Sequence, residues 1–187
     1  MEVQKERQKD DTNLEMVRSL SHYINKMKGT NNPIKSFPIT DSLISAGGGL
    51  IAMVIISLVA VFLGHPMVLG PIGASCLLVF VAYEGPFSQP RHVIGGHLLS
   101  TIAALTIWDL FGRSHVTIGI TLAIVVLLML LTNMMHPPAA ASAIVAINTQ
   151  IGWSFLFTIF LCAILAVIVS ILYNNLFKNR SYPQRWI

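Results

Sequence analysis

Pro71-Ile72-Gly73-Ala74-Ser75 and Pro138-Ala139-Ala140-Ala141-Ser142 are two copies of one short pattern, P-x-[G/A]-A-S. The second copy follows His136-Pro137. Each opens an apolar segment of only about ten residues, half of the roughly 20 that a helical membrane crossing needs. Two short helices started by proline, at matching places in two halves of a membrane chain, point to a transport site.

The sequence around the two copies is that of a membrane protein. It is 54% hydrophobic and 11% charged over 187 residues, against about 25% charged in an average soluble domain. Residues 1–41 hold seven Lys/Arg and six Asp/Glu, and from Ser114 to Phe177 there are none. The net charge of +4 comes with Lys26, Lys28 and Lys35 ahead of the first span and Lys178, Arg180 and Arg185 after the last. No basic run with interleaved aromatics lies beyond these flanks, so no nucleic-acid partner is expected. The positive-inside rule predicts a multi-pass protein of the cell membrane with both termini cytoplasmic and an even number of crossings. The charged beginning and the late first apolar run predict no cleavable signal peptide. Cys76 and Cys162 lie in apolar segments and read as buried packing thiols.

The expected organisation has three parts. Residues 1–41 form a cytoplasmic N-terminal segment. Thr12 and Glu15 suggest a capping box. Leu14, Val17, Ser21, Ile24 and Met27 then follow at helical spacing, with Gly29 as a stop. Arg18, Lys26 and Lys28 make this a basic amphipathic helix, able to lie on a bilayer or to pack loosely as a solvated tail. Residues 42–177 form the transmembrane domain, with one repeat over 43–111 and another over 115–177. Residues 178–187 form a cytoplasmic tail. Each repeat reads as long span, extended break, short helix, long span. The long spans are expected at 43–63, 90–111, 115–132 and 153–177, and the short helices at 71–83 and 138–147. Gly47-Gly48-Gly49, the stripe Gly96, Ser100, Ala104 and the stripe Cys162, Ala166, Ser170 predict close helix packing, and with it the option of a homo-oligomer.

The predicted fold is therefore an all-α polytopic membrane protein. It has four long transmembrane helices and two short Pro-started half-helices in a two-fold internal repeat. Short helices that turn back would give four crossings and parallel halves. Short helices that complete a crossing with the breaks would give six crossings and inverted halves. The inverted arrangement is favoured because it brings both short-helix N-termini to the midplane from opposite sides.

The first amides of a helix lack helical partners and carry partial positive charge, which makes a helix start an anion site. Gly73, Ala74, Ala140 and Ala141 keep that surface small, and Ser75 and Ser142 add hydroxyl donors one turn in. The competing reading has the prolines only breaking helices and the serines bonding back to the previous turn. His136 sits where an imidazole is costly without a partner or a task. It could donate to an anion, carry the proton that accompanies it, or satisfy a carbonyl in the break. Arg91 could attract anions or pair with Glu84, and His97, beside Gly95-Gly96, is the better pathway residue. Asp109 and Arg113, four apart, read as an end-of-helix pair. His65 and His115 read as interfacial. No His-x-x-x-His pair lies in the spans and no acid–His–nucleophile series stands out, so no metal, cofactor or catalytic residue is expected. An intramembrane metalloenzyme stays a weak alternative.

These motifs resemble the HPP family of integral membrane proteins. His136-Pro137-Pro138 followed by small residues is similar to the motif that names the family. The stretch PIGASCLLVFVAYEGPFSQPRHVIGGHLLS, Pro71 to Ser100, is similar to its other characteristic region. The resemblance spans about Ile44 to Tyr173. It implies four membrane-spanning helices and transport of an anion, with nitrite as the best-supported substrate. It also implies roles for His136, Pro137, Pro138, Pro71, Gly73, Ala74, Ser75, Glu84, Gln89, Pro90, Arg91, Gly95, Gly96 and His97. Some bacterial members carry C-terminal CBS domains, which this chain is expected to lack. The combined expectation is a transporter or channel for a small monovalent inorganic anion. The substrate-binding residues are His136, Pro137, Pro138, Ala140, Ser142, Pro71, Gly73, Ala74 and Ser75, and Arg91, His97 and Glu84 line the pathway. The alternatives are a channel or carrier for a cation or another small solute, and a membrane scaffold without transport.

Overall fold

The computed structural model describes residues 15, 18–27 and 36–186. They fall into two compact units, Met1–Phe37 and Pro38–Ile187. In the first, residues 18–27 are helical with exposed side chains, and Ser21 Oγ donates to the Arg18 carbonyl at 3.1 Å. The expected capping box at Thr12, the apolar positions Leu14 and Val17 and the stop at Gly29 lie outside the described residues.

The second unit is all-helical among the described residues. Its helices are α1 (Ile39–Phe62), α2 (Leu69–Val81), α3 (Pro90–Phe111), α4 (His115–Leu131), α5 (Pro137–Asn148) and α6 (Ser154–Asn174). Short 3₁₀ turns at Pro66–Val68 and Pro86–Ser88 precede α2 and α3. Three helices, α1, α3 and α6, are long and apolar enough to cross a membrane. The expected fourth, α4, is cut to 17 residues. Ser114 caps its start by accepting from the Thr117 amide at 2.9 Å. Asn133, at φ 54°, turns the chain away after its end. At 1.5 Å per residue α4 spans about 26 Å, short of a hydrocarbon core of about 30 Å.

The first break is also shorter than expected. Instead of extended chain from Gly64 to Gly70, the 3₁₀ turn at Pro66–Val68 runs into α2, which starts at Leu69. Pro71 is thus the third residue of α2 rather than its first. The second unit begins at Pro38, and Asp41 belongs to the first turn of α1, where a carboxylate suits the helix dipole.

Packing follows the small residues. Gly96, Ser100 and Ala104 are buried along α3, as are Cys162, Ala166 and Ser170 along α6. A Cβ on Gly48 would clash with the Phe80 ring and lie 2.8 Å from Tyr173, so only glycine lets α1 lie this close to α2 and α6. Cys76 and Cys162 are buried and unbonded. Large apolar side chains also cover the outside: Leu50, Leu58, Phe62, Leu110, Leu131 and Phe157 are all exposed. An apolar exterior around a partly polar interior is the pattern of a protein solvated by lipid.

Residues 178–186 pack on the helices. Arg180 is the anchor. Its guanidinium forms an ion pair with Asp41 at 2.9 Å, its own side chain 2% exposed and that of Asp41 45%. It also donates to the Asp41 and Phe80 carbonyls, to Ser45 Oγ and to Asn174 Oδ1, at 2.8–3.2 Å. The Tyr83 ring lies 5.0 Å beneath it. Tyr182 donates its hydroxyl to the Ser88 carbonyl at 2.7 Å. Burial pushes that phenol above the ordinary tyrosine range, so it stays a neutral donor. Gln89 Oε1 accepts from the amides of Gln184 and Arg185.

This arrangement carries a stability prediction. Arg180→Ala removes one of the two donors to the buried Phe80 carbonyl and leaves the half-exposed Asp41 to solvent, and is expected to cost about 1–3 kcal/mol. Asp41→Asn leaves the buried guanidinium without its counter-charge and is expected to cost about 3 kcal/mol. Thermal unfolding of the purified protein in lipid nanodiscs checks both. A loss below about 1 kcal/mol for Asp41→Asn would contradict the buried charge pair.

Candidate functional site: a buried histidine–serine cluster

His97 and His136 are fully buried, as are Ser75 and Ser142. Three helices bring the four together. Ser75 stands in the second turn of α2, and His97 faces it from α3, two turns in. His136 is the N-cap of α5, and Ser142 lies inside α5. Ser75 Oγ lies 2.8 Å from His97 Nε2 and 2.8 Å from His136 Nε2. His97 Nδ1 lies 2.8 Å from Ser142 Oγ. The two rings meet edge to face, with centroids 5.1 Å apart. His136 Nδ1 is 2.7 Å from the Phe87 carbonyl, to which it donates. A carbonyl can only accept, so that nitrogen carries a proton.

Gly96 sets this geometry. A Cβ there would sit 2.7 Å from His136 Cβ and 3.3 Å from the Met134 carbonyl. Neither atom is the far end of a flexible chain. The close contact between α3 and the start of α5 thus needs a residue without a side chain one position before His97.

The short-helix starts differ from expectation in one respect that matters chemically. At α5, Pro137 and Pro138 have no N–H, and the Ala139 amide donates to the His136 carbonyl at 2.9 Å. At α2, Val68 donates to the His65 carbonyl at 3.1 Å, and Gly73, Ala74 and Ser75 lie in the body of the helix, where amides are already paired. Two prolines and the Ala139 bond thus reduce the expected set of free amides at α5, and the motif residues of α2 lie past its first turn. Ser75 Oγ is also 3.1 Å from the Pro71 carbonyl one turn back, the bond the competing reading assigned to it.

The other sequence-derived residues surround or leave the cluster. Pro71 and Pro138 are buried beside it, Gly73 and Ala140 are half-buried, and Ala74 and Pro137 are exposed. Arg91 donates to the Thr132 carbonyl at 3.2 Å, and its buried Nε has no partner. It does not pair with Glu84, which is exposed; the ion pair among the described residues is Arg180–Asp41. Nor do Asp109 and Arg113 pair. Gly112, at φ 66°, ends the helix between them and removes the i,i+4 geometry, and Asp109 accepts from Trp153 Nε1 at 2.8 Å. His92 donates to the Met135 carbonyl at 2.9 Å. His65 bonds Thr158 at 2.8 Å and Ser154 at 3.2 Å. Among the described residues no three of His, Cys, Asp and Glu converge as a metal-holding group.

Sequence reasoning missed two things here. Thr101, one turn beyond His97 on the same face of α3, has a fully buried hydroxyl without a partner. The i,i+4 spacing from His97 was the available signal. Arg180 was read only as a topological charge, although Asn174 in the last turn of an apolar helix signals a buried polar neighbour.

The packing predicts that Gly96→Ala destabilises the protein by roughly 1–3 kcal/mol through overpacking. Gly119, in open space on α4, should accept alanine with a gain of about 0.5–1 kcal/mol. Paired melting curves test this, and a neutral Gly96→Ala would contradict the contact described.

The family model described as HPP, transmembrane region, matches residues 34–183. No curated protein and no solved structure matches the chain.

Proposed function

The chain belongs to the HPP family of membrane proteins, and from that premise we propose that it is a transporter or channel for a small monovalent anion, with nitrite as the expected substrate. In this reading the protein crosses the cell membrane several times with both termini cytoplasmic. Its two halves are inverted repeats, each of α1–α3 and α4–α6, and the site lies where their short helices approach each other. The observation that carries the proposal is the buried cluster of Ser75, His97, His136 and Ser142. Polar side chains inside an apolar helical protein are costly and mark solute pathways.

The chemistry favours an anion over a cation. The cluster offers hydroxyl and imidazole donors and contains no carboxylate. Asp41 is engaged by Arg180, Asp109 by Trp153, and Glu84 is exposed. The positive ends of the α2 and α5 dipoles lie on the motif side of each helix. The unpartnered Thr101 hydroxyl and Arg91 Nε are further donors available near α3. The scaffold reading draws on the same cluster, since its hydrogen bonds also tie three helices together.

Uptake into proteoliposomes separates the readings. Nitrite flux is expected to saturate and to exceed that of chloride and bicarbonate. His136→Gln keeps one amide donor for the Phe87 carbonyl and is expected to lower nitrite flux about tenfold or more, equivalent to at least roughly 1.4 kcal/mol of barrier. Selective flux of formate or nitrate would change the substrate and keep the site. Absence of any protein-dependent anion flux from folded protein would favour the scaffold.

A further inference from the structure

The cluster is a hydrogen-bonded chain with a defined direction, and we propose that it is a proton relay that loads one proton with each anion, making transport an electroneutral proton–anion symport. This inference rests on the anion reading above.

The direction follows from the Phe87 carbonyl. His136 donates to it through Nδ1, so in the neutral ring Nε2 can only accept. Ser75 has one proton and two acceptors, His136 Nε2 at 2.8 Å and the Pro71 carbonyl at 3.1 Å; in the relay it gives the proton to the nearer nitrogen and accepts from His97 Nε2. His97, with its proton on Nε2, accepts at Nδ1 from the Ser142 hydroxyl. The sequence Ser142 → His97 → Ser75 → His136 → Phe87 carbonyl uses every polar hydrogen that the four neutral side chains possess. None is left over for an anion.

One added proton changes this. A proton delivered to Ser142 Oγ lets the original Ser142 proton pass to His97 Nδ1. The His97 Nε2 proton passes to Ser75 Oγ, and the original Ser75 proton passes to His136 Nε2. Each O–H or N–H bond broken is replaced by one formed at the next atom. His136 ends as an imidazolium, and the other three groups remain neutral. Every bond of the chain survives with its direction reversed: His136 Nε2 donates to Ser75, Ser75 to His97 Nε2, and His97 Nδ1 to Ser142. The Ser142 hydroxyl proton is now free. Protonation thus creates both a positive charge and a free donor, the two things an anion needs. The transfer is reversible: return of the proton through Ser142 restores the neutral chain.

The neighbours give that charge no other compensation. Around the chain, His97 and His92 of α3 face His136, and Cys76 follows Ser75 on α2. Between Ser114 and Phe177, which includes all of α4 and α5, there is no Asp, Glu, Lys or Arg. With no carboxylate present, an imidazolium in a low-dielectric interior is stable only with an anion beside it. Proton and anion therefore enter together.

The test uses vesicles containing the full chain and an internal pH dye, with potassium and valinomycin fixing the potential. In wild type, nitrite uptake above the rate in protein-free vesicles should bring in one proton per anion and should not respond to the imposed potential. His97→Gln, which can hold both serines but cannot pass a proton, should lower coupled uptake about tenfold or more. Nitrite flux that follows the potential without acidification would overturn the coupling and leave the anion reading intact. No wild-type flux of nitrite, nitrate or formate would remove the anion reading. The relay itself is then decided by ¹⁵N NMR of histidine-labelled wild-type protein. It requires the proton of His97 on Nε2 at neutral pH and its move to Nδ1 as His136 is protonated. A His97 tautomer that stays fixed while His136 titrates would overturn the relay.

Discussion

A helix that stops inside a protein leaves its last carbonyls without helical donors, and α2 stops in this way. In an apolar setting each unmatched carbonyl costs several kcal/mol. The Leu78 carbonyl accepts from the Ala82 amide and from Ser88 Oγ. The Val79 carbonyl accepts from Ser170 and Asn174 of α6. The Phe80 carbonyl accepts from Ser45 of α1 and from Arg180. The need to cap one short helix thereby fixes α1, α6, the loop before α3 and the C-terminal segment relative to one another. The cap supplied by Arg180 is cationic, the sign that suits a helix C-terminus.

The same helix carries the other polar centre. Ser75 precedes Phe80 by five residues, about 7.5 Å along the axis. One end of α2 is held by a paired charge and its middle by neutral hydroxyl–imidazole bonds. The two centres differ in what they allow. The Arg180 assembly is compensated by Asp41 and has its donors committed to carbonyls that cannot move away. The histidine–serine bonds can reverse direction without any heavy atom leaving its place. A permanent clamp and a reversible chain on one short helix suit a structure in which α2 stays anchored while the contacts around Ser75 exchange.

Much of this was legible in the sequence, because hydropathy and proline position report directly on backbone state. The α3 limits follow from Pro90 at the first helical position and Gly112 beyond the last, and the structure has both. The small-residue stripes on α3 and α6 are buried as their spacing implies. Local pattern failed where a tertiary partner decided the outcome. Pro71 reads as a helix start, yet Pro66 had already begun the turn that leads into α2, and a proline in the first turn removes no needed donor. Asp109 and Arg113 have the right spacing, but the left-handed Gly112 between them ends the helix. The meeting of His97 with Ser142 joins residues 45 apart, and no local periodicity encodes such a contact. The role of Arg180 depends on Asp41, 139 residues earlier, which a charge count alone reads only as topology.

The helix-end hypothesis and the observed cluster lead to different electrostatics for one site. Free amides would hold an anion by fixed partial charges, indifferent to protonation. Prolines at the first two positions of α5 remove those donors, and the His136 carbonyl takes the Ala139 amide. In the proposed relay the side-chain hydrogens of the cluster are committed to one another, and the proposed site admits an anion only together with a proton. His-Pro-Pro at the start of α5 accordingly does three things in three residues. It deletes two backbone donors, occupies a third, and sets an imidazole between Ser75 and the Phe87 carbonyl. The control of charge in the cluster is thereby moved from the backbone, which cannot titrate, to a histidine, which can.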